Sequence, residues 1–328
     1  MNIPVISVVI PTYNRKELLE KAILSVINQK KDIPFERELI IVDDGGTDWT
    51  DVFIEKYVND FPDNITYIYN THSWIPGVWR NIWLNRLRKD STYTIFLDSD
   101  DEFSLDLFSV CLQKREQLKE LWTYDTILWF YFLCENEQGE IIGGKKILQW
   151  KEERSFTYDD YLQWAINIEM WLITKSDIFI SSLMLRFSEE VITEWVMWSK
   201  MWQYMDIHGF KILLRDYVWR VYKVNHSSEI QVTKIISQDR FLKNALGNEQ
   251  IFAIVRDDLL KKWLHASYAD YMFRIGSNYI LAWKKAMWID YIKKSFSHCF
   301  DVKVFIVYLI AVLFPKEVLQ YIYRVYVS

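Results

Sequence analysis

The amino-acid sequence predicts an α/β fold, in which a mostly parallel sheet is flanked by helices and is followed by a helical C-terminal region. Short, continuously apolar runs rich in β-branched residues alternate with segments whose apolar residues follow helical spacing. Such runs are typical of strands that are buried on both faces, as in parallel sheets. From about residue 241 to the end, only helical spacing remains.

The elements follow from these patterns in order. The first strand is predicted at 5–10, where Pro11 ends it, and the first helix at 18–27. Further strands are predicted at 39–42, 65–69, 94–97 and 126–133, with short strands at 171–174, 211–214 and 217–221. Helices are predicted at 52–58, 105–121 and 194–205. Gly247 and Gly276 are expected to interrupt the later helices, and no convincing internal repeat is visible.

Charge is unevenly distributed along the chain. From Gln231 to the end there are 14 Lys+Arg and 8 Asp+Glu, a net charge of +6, whereas the remainder carries −11. A basic, aromatic C-terminal region suggests contact with an anionic membrane surface or with a partner. The apolar run at 304–314 is shorter than the roughly 20 residues that a spanning helix needs, so it predicts a core helix or an interfacial one.

The compartment predicted from the sequence is the cytoplasm. The three cysteines, Cys111, Cys134 and Cys299, form neither a disulfide framework nor a zinc pattern. The first residues lack the basic region and the small-residue cleavage site of a signal peptide.

Three polar clusters follow predicted strands, at 12–14, 43–44 and 98–101. In an open parallel sheet, ligands bind beyond the carboxyl ends of the strands. A single acidic turn is usually a helix cap or a tight turn, but three clusters at one edge favour a binding site. The alternate carboxylates of the last cluster offer hard oxygens to Mg²⁺ or Mn²⁺, and a diphosphate would supply further ligands.

Glycine-rich phosphate loops are missing from the sequence. The first strand is followed by no Gly-x-Gly-x-x-Gly, and there is no Walker A sequence, which argues against a nicotinamide, flavin or P-loop domain. Phosphate would therefore be held by metal and side chains. Arg80 is a candidate because guanidinium groups bind oxygens bidentately; the alternative is a solvated arginine on a helix face.

Four motifs carry a family resemblance: VVIPTYNR at 8–15, IIVDDGGTD at 40–48, GVWRN at 77–81 and FLDSDDEF at 96–103. In order and spacing they resemble the family 2 glycosyltransferases of GT-A fold, strongly over the first 105 residues and more weakly to about residue 230. GVWRN is shorter than the usual family segment between its glycine and its Arg-Asn pair.

The resemblance implies roles for matching positions. Pro11, Tyr13 and Asp43 would hold the nucleotide base and ribose, and Arg80 would approach the base or the diphosphate. Asp98 and Ser99 would contact the nucleotide sugar, with Asp98 and Asp100 forming the metal motif and Asp100 the direct ligand. His226 would be a further metal ligand or touch the diphosphate.

The resemblance also implies a catalytic base. The family usually has Glu-Asp at a helix start, but here Trp195 follows Glu194 in place of the aspartate. Glu194 is the candidate base, and Asp206, Glu189 and Glu190 are weaker ones. The alternative for Glu194 is a charge favoured only by the helix dipole.

The function implied is inverting transfer of a sugar from a UDP- or GDP-sugar to a glycan or lipid-linked acceptor, dependent on Mn²⁺ or Mg²⁺, in bacterial-type surface glycan assembly. We assign 1–230 to the GT-A catalytic domain, with nucleotide-sugar binding in 1–105 and the acceptor part in 106–230. Region 231–328 is assigned to membrane association or dimerisation, and the protein to the cytoplasm or the inner membrane face. No nucleic-acid partner is expected. Alternatives are a binding module that lost its base at Trp195 and, less favoured, a sugar nucleotidyltransferase.

Overall fold

The computed structural model describes residues 3–73, 75–121, 123–136, 138–140, 154–163, 170–181, 185–222, 237–299, 301 and 305. Two compact units are present. The first contains residues 1–158, 166–186 and 204–226, and the second contains 159–165, 187–203 and 227–328. The functional assignment of 1–230 and 231–328 stays a prediction.

The first unit is built on a sheet with nine strands in the described part of the chain, in the order β3-β2-β1-β4-β8-β6-β9-β5, with β7 beside β9. The half of the sheet that carries the predicted clusters is parallel, because β2 pairs with β1 and β3, and β1 with β4. Its strands are β1 (Val5–Thr12), β2 (Glu36–Asp43), β3 (Ile65–Tyr69) and β4 (Tyr93–Phe96).

Residues 5–10 of β1 are all buried, as expected for an apolar strand covered on both faces. The strand does not end at Pro11 as predicted, since Pro11 pairs with Val42 and Thr12 with Asp43. Proline is compatible with extended backbone near the end of a strand, where only its missing N–H is lost from the ladder. The three helices of this half are α1 (Lys16–Ile27), α2 (Thr50–Asp60) and α3 (Pro76–Leu84).

The second half of the sheet is mixed. β6 (Ile127–Asn136) is parallel to β9 (Lys211–Tyr222) but antiparallel to β8 (Met170–Lys175), and the short β5 (Glu102–Phe103) and β7 (Arg154–Phe156) run antiparallel to β9. The sequence predicted two strands, at 211–214 and 217–221, where the structure has the single strand β9. The pairing of β9 with β6 shifts in register at residues 131–134, and these bulges accommodate the polar residues between the two predicted strands. Along this stretch of the chain the helices are α4 (Leu107–Glu120), α5 (Tyr158–Leu162), α6 (Ser176–Ser181) and α7 (Trp195–His208), of which most of α5 and α7 belongs to the second unit.

The second unit is dominated by three consecutive helices, α8 (Gln238–Lys261), α9 (His265–Leu281) and α10 (Lys285–His298). Ser237 caps α8 by accepting a hydrogen bond from the Arg240 N–H. The core between the helices is apolar and aromatic, and it includes Val255, Leu259, Met272, Ile275, Tyr279, Trp288 and Ile292. Among the described residues, no helix has both the length and the apolar character needed to cross a bilayer. The predicted α/β fold with a helical C-terminal region is confirmed.

A buried carboxylate lies within the sheet of the first unit. Glu38 is 7% exposed, and its Oε2 accepts from the Ser7 hydroxyl at 2.6 Å and from the Arg88 N–H at 3.2 Å. Ser7 in turn contacts Ser91 at 2.7 Å, and Ser91 contacts Ser176 at the same distance. Burial raises the pKa of Glu38 above its usual value, because a charged carboxylate is poorly solvated there.

We expect Glu38→Gln to raise the melting temperature at pH 8 by about 2–4 °C, the shift that about 1 kcal/mol gives in a domain of this size. Because the pKa of Glu38 is higher in the folded state than its unfolded value of 4.5, the protein loses stability as pH rises from 4.5 through the folded pKa. Glutamine carries no charge at any pH, so the Gln variant does not have this loss. The difference should therefore vanish near pH 4, as measured by thermal unfolding across pH. Glu36→Gln, at an exposed position of the same strand, is the control and should shift melting by less. A destabilised Glu38→Gln would show that the ionised carboxylate is required.

Candidate functional site

The predicted clusters meet at one edge of the sheet. Because β1, β2 and β4 are parallel, their carboxyl ends lie at the same edge, and Thr12 pairs directly with Asp43. Tyr13 and Asn14 follow β1, Asp44 follows β2, and residues 98–101 follow β4. The expectation that these segments converge is confirmed by the strand pairing.

Hydrogen bonds join the loops that follow β1 and β2. The Asn14 side-chain oxygen accepts from the Thr47 N–H at 2.6 Å, and Asp48 accepts from the Lys16 N–H at 2.9 Å. Asn14 has a φ of 51°, in the left-handed region that asparagine tolerates. Gly45 has a φ of 82°, and a Cβ there would lie 2.7 Å from the backbone nitrogen of His72. Only glycine fits this close approach, so Gly45 fixes the distance between the loop after β2 and the backbone at His72.

The ring of Tyr13 forms an aromatic surface at this edge. It stacks on His72 with ring centroids 4.1 Å apart and an angle of 14° between the planes, and Tyr13 is 38% exposed. The Nδ1 atom of His72 lies 2.7 Å from the backbone oxygen of Asp44 and 2.8 Å from its Oδ2. The Asp44 carboxylate also accepts from Asn70 at 3.0 Å. Asp44 therefore fixes the ring against which Tyr13 is held.

Asp43 is 1% exposed and is held by protein donors. It accepts from the Tyr67 hydroxyl at 2.7 Å and from the Gly46 N–H at 2.8 Å. Burial raises the pKa of Asp43, and these two hydrogen bonds act in the opposite direction. Pro11, the last residue but one of β1, is half-buried. A carboxylate has about four acceptor sites, so Asp43 retains capacity for a ligand donor.

Arg80 lies on α3, a helix that begins at Pro76, a favoured N-terminal helical residue. It is 7% exposed, and its guanidinium carbon lies 4.1 Å from the centroid of the Trp79 ring. The alternative of a solvated arginine on a helix face is therefore wrong, because Arg80 is almost fully buried and its guanidinium lies over the Trp79 ring.

Three carboxylates gather beyond β4. Asp98, Asp100 and Asp101 each offer an oxygen, and these oxygens lie within 4.8 Å of one another. Asp98 and Asp100 are half-buried, whereas Asp101 and Ser99 are almost fully buried. The set consists of hard, anionic oxygens, partly open to solvent, and these are the ligands that Mg²⁺ and Mn²⁺ prefer. The residues present therefore fit a divalent cation.

Two further contributors to this edge carry no role in the sequence prediction. Arg15 forms an ion pair with Asp100, with Nη1 2.9 Å from Oδ2, so a cationic group already faces the carboxylates. His72 supplies the support for Tyr13 described above. Arg15 lies within the first motif, but only the tertiary structure shows that it reaches a carboxylate 85 residues away.

The candidate bases are in different places. Glu194 belongs to the second unit and directly precedes α7, where its backbone oxygen accepts from the Met197 N–H at 3.0 Å. Trp195 is 53% exposed, and Glu190 accepts from Gln250 at 3.1 Å. Asp206 is exposed in the last turn of α7, in the first unit, and Glu189 is exposed in the second. His226 lies outside the described residues.

The mostly parallel sheet flanked by helices is a GT-A-like fold. Residues 7–134, which carry the edge described above, match the family described as glycosyl transferase family 2. An uncharacterised glycosyltransferase of Mycoplasma genitalium is 38% identical over 132 residues, which cover 39% of this chain and 42% of that protein.

Two solved structures share the fold. Staphylococcus aureus TarS in complex with UDP-GlcNAc has a TM-score of 0.56 and 16% identity, covering 87% of this chain and 88% of that one. The mannosyltransferase PcManGT of Pyrobaculum calidifontis, in complex with GDP-Man and Mn²⁺, has a TM-score of 0.51 and 14% identity, covering 95% and 81%. In sequence, TarS, named a poly(ribitol-phosphate) β-N-acetylglucosaminyltransferase, is 35% identical over 96 residues, which are 29% of this chain and 16% of TarS. The chain thus spans less than half the length of either curated relative in these alignments.

Proposed function

We propose that this chain is an inverting, metal-dependent glycosyltransferase that moves a sugar from a nucleotide-diphosphate sugar to an acceptor hydroxyl. The observation that carries the proposal is the cluster of Asp98, Asp100 and Asp101, which lies at the carboxyl edge of the sheet beside the Tyr13 surface. Carboxylates that can hold a cation, next to an exposed aromatic ring, suit a nucleotide diphosphate. The family match and the shared fold support the same class of reaction.

Different residues would hold the base and ribose of the donor, the metal and the diphosphate. Pro11, Tyr13 and Asp43 would hold the base and ribose, with Tyr13 presenting the ring that His72 supports. Asp100 would be the direct metal ligand with Asp98 beside it, and His226 is proposed as a further ligand. A bound Mn²⁺ or Mg²⁺ would supply Lewis-acid stabilisation of the charge that develops on the leaving diphosphate.

Side chains of the same edge would complete the donor site. Ser99 would contact the nucleotide sugar, while Arg80, permanently charged and desolvated beside Trp79, would add positive charge near the base or the diphosphate. Arg15 already pairs with Asp100 and would limit the repulsion between the carboxylates and the donor phosphates. Positioned charge of this kind is usually the largest contribution to catalysis.

In the proposed reaction, the acceptor oxygen attacks the anomeric carbon as the bond from that carbon to the diphosphate breaks. The nucleoside diphosphate leaves with the bonding electrons, and the acceptor proton passes to a carboxylate. Glu194 is the proposed base, with Asp206, Glu189 and Glu190 as alternatives. The expected acceptor is a glycan or a lipid-linked saccharide of a bacterial surface polymer, in line with the name of TarS.

Calorimetry tests the donor site. We expect UDP or GDP to bind in the presence of Mn²⁺ and to lose at least about tenfold in affinity when EDTA removes the cation, because the carboxylates would then repel the diphosphate. Asp90→Ala, which removes an exposed aspartate before β4, should bind the nucleotide like the unmodified protein. Equal affinity with Mn²⁺ and with EDTA would rule out the metal, and no binding of either nucleotide would contradict the donor class.

A further inference from the structure

Two helices of the second unit end in the same unusual way. Trp263 is the first residue after the C-cap of α8, and Trp283 is the first residue after the C-cap of α9. Their φ values are 58° and 62°. In both cases the tryptophan N–H bonds three residues back and the next N–H bonds five residues back: Trp263 to Leu260, Leu264 to Leu259, Trp283 to Ile280 and Lys284 to Tyr279. This is the Schellman helix ending, in which the left-handed position is usually glycine.

The likeness continues along the following helices with a period of 20 residues. Asp270 pairs with Arg274 on α9, and Asp290 pairs with Lys294 on α10, each at 2.6 Å. The two helix endings therefore share one backbone geometry, and each following helix carries an i,i+4 ion pair at the same distance from its start. That the chain has no convincing internal repeat stays a prediction.

The backbone conformation of Trp263 destabilises the fold. A left-handed conformation costs an L-residue other than glycine about 1–2 kcal/mol. Trp263 is 80% exposed, so its indole gains little from packing, whereas Trp283 in the equivalent position is half-buried. A strained residue whose side chain is offered to solvent points to a role outside folding.

The surroundings of Trp263 are apolar and basic. We call residues 260–265 the tryptophan corner; here Leu260 and Lys261 are exposed beside Trp263, and His265 lies next to its ring at 5.8 Å. Lys262 is also exposed, but it forms an ion pair with Asp159. From Arg256 to His298 there are eight Lys+Arg against four Asp+Glu, a net charge of +4. Charge and exposed apolar surface thus occur together.

The end of α10 lies beside the same corner. The ring of His298 stacks on Tyr268 with centroids 3.8 Å apart and lies 5.8 Å from His265. The chain therefore leaves α10 next to Trp263, shortly before the apolar sequence at 304–314. The exposed Trp263, the exposed Lys261 and the end of α10 therefore share one end of the helical unit.

We propose that the tryptophan corner is a membrane anchor that inserts Trp263 into the headgroup layer of an anionic bilayer. Tryptophan is favoured at that depth because its ring is apolar while its N–H can be hydrated. Lysines near an anionic surface are attracted to it, and the attraction weakens as salt rises. This anchor is independent of catalysis and would place the enzyme where lipid-linked acceptors are found.

Flotation of the full chain with vesicles, without nucleotide, tests the anchor. The protein should float with vesicles of equal phosphatidylglycerol and phosphatidylcholine at low salt, bind phosphatidylcholine vesicles at least tenfold more weakly, and be released at high salt. Trp263→Gly should lower the partition coefficient at least tenfold while melting at or above the temperature of the unmodified protein, because glycine relieves the backbone strain. Trp283→Gly makes the same backbone change at a half-buried site and should keep vesicle binding within about twofold.

A second variant leaves the backbone strain unchanged. Lys261→Glu reverses an exposed charge beside Trp263 and should weaken binding to anionic vesicles at low salt more than to neutral ones. The proposal is overturned if Trp263→Gly floats like the unmodified chain, if both glycine variants lose binding equally, or if the full chain does not float. Binding that depends on Trp263 but only to a protein, and not to vesicles, would also overturn it.

Discussion

Replacing Asp100 by alanine is expected to lower sugar transfer by at least about 10²-fold while leaving the fold intact. Asp100 offers its carboxylate to the cluster with Asp98 and Asp101, and loss of one group that stabilises developing charge typically costs 10²–10³-fold or more. The side chain is half-buried and contacts Arg15 rather than the core, so little stability should be lost. The measurement is the initial rate of donor consumption with Mn²⁺, together with a thermal melt.

The control for this variant is Asp90→Ala, an exposed aspartate on the chain segment before β4, which should keep the transfer rate. Mn²⁺ titrated by calorimetry into Asp100→Ala should show weaker binding than into Asp90→Ala. Transfer by Asp100→Ala near the unmodified rate would remove Asp100 from the site, and a large drop in melting temperature would assign it a structural role instead.

The parallel half of the sheet could be predicted because burial on both faces leaves a continuous apolar signature. The run at 39–42 contains only apolar residues and the run at 5–10 has Ser7 as its one polar residue, and the structure pairs the two runs side by side. The clusters that follow them then had to share an edge, since parallel strands end on the same side. The position of these clusters depends only on the direction of the strands that precede them, and the alternation of strands and helices in the sequence already predicts parallel strands.

The parts that were missed depend on tertiary contacts. The sequence patterns predict no element for the segment that forms α3, and the burial of Arg80 beside Trp79 follows only from the packing of that helix. The Arg15–Asp100 pair joins residues 85 positions apart. The shared ending of α8 and α9 depends on the positive φ angles of Trp263 and Trp283, which only the folded chain shows. Such features have no local pattern that a single sequence can reveal.

The proposed base gives the second large effect: Glu194→Gln is expected to lower the transfer rate by about 10²-fold or more, with little change in donor affinity. Glutamine keeps the size of the side chain but cannot accept the acceptor proton, and loss of a general base typically costs 10²–10⁴-fold. Nucleotide binding is assigned to other residues, so the loss should appear in kcat rather than in the donor Kd. Steady-state rates combined with calorimetry of UDP or GDP would separate the two.

The neighbouring carboxylates provide the matched comparison. Glu189→Gln makes the same change at an exposed position five residues earlier, and Asp206→Asn does so in the last turn of α7. If Glu194 is the base, both variants should transfer sugar within a few-fold of the unmodified rate. A large loss in Glu189→Gln, Glu190→Gln or Asp206→Asn, with Glu194→Gln active, would move the base to that residue. Donor binding without transfer in the unmodified chain would instead favour a binding module in which Trp195 has replaced the catalytic aspartate.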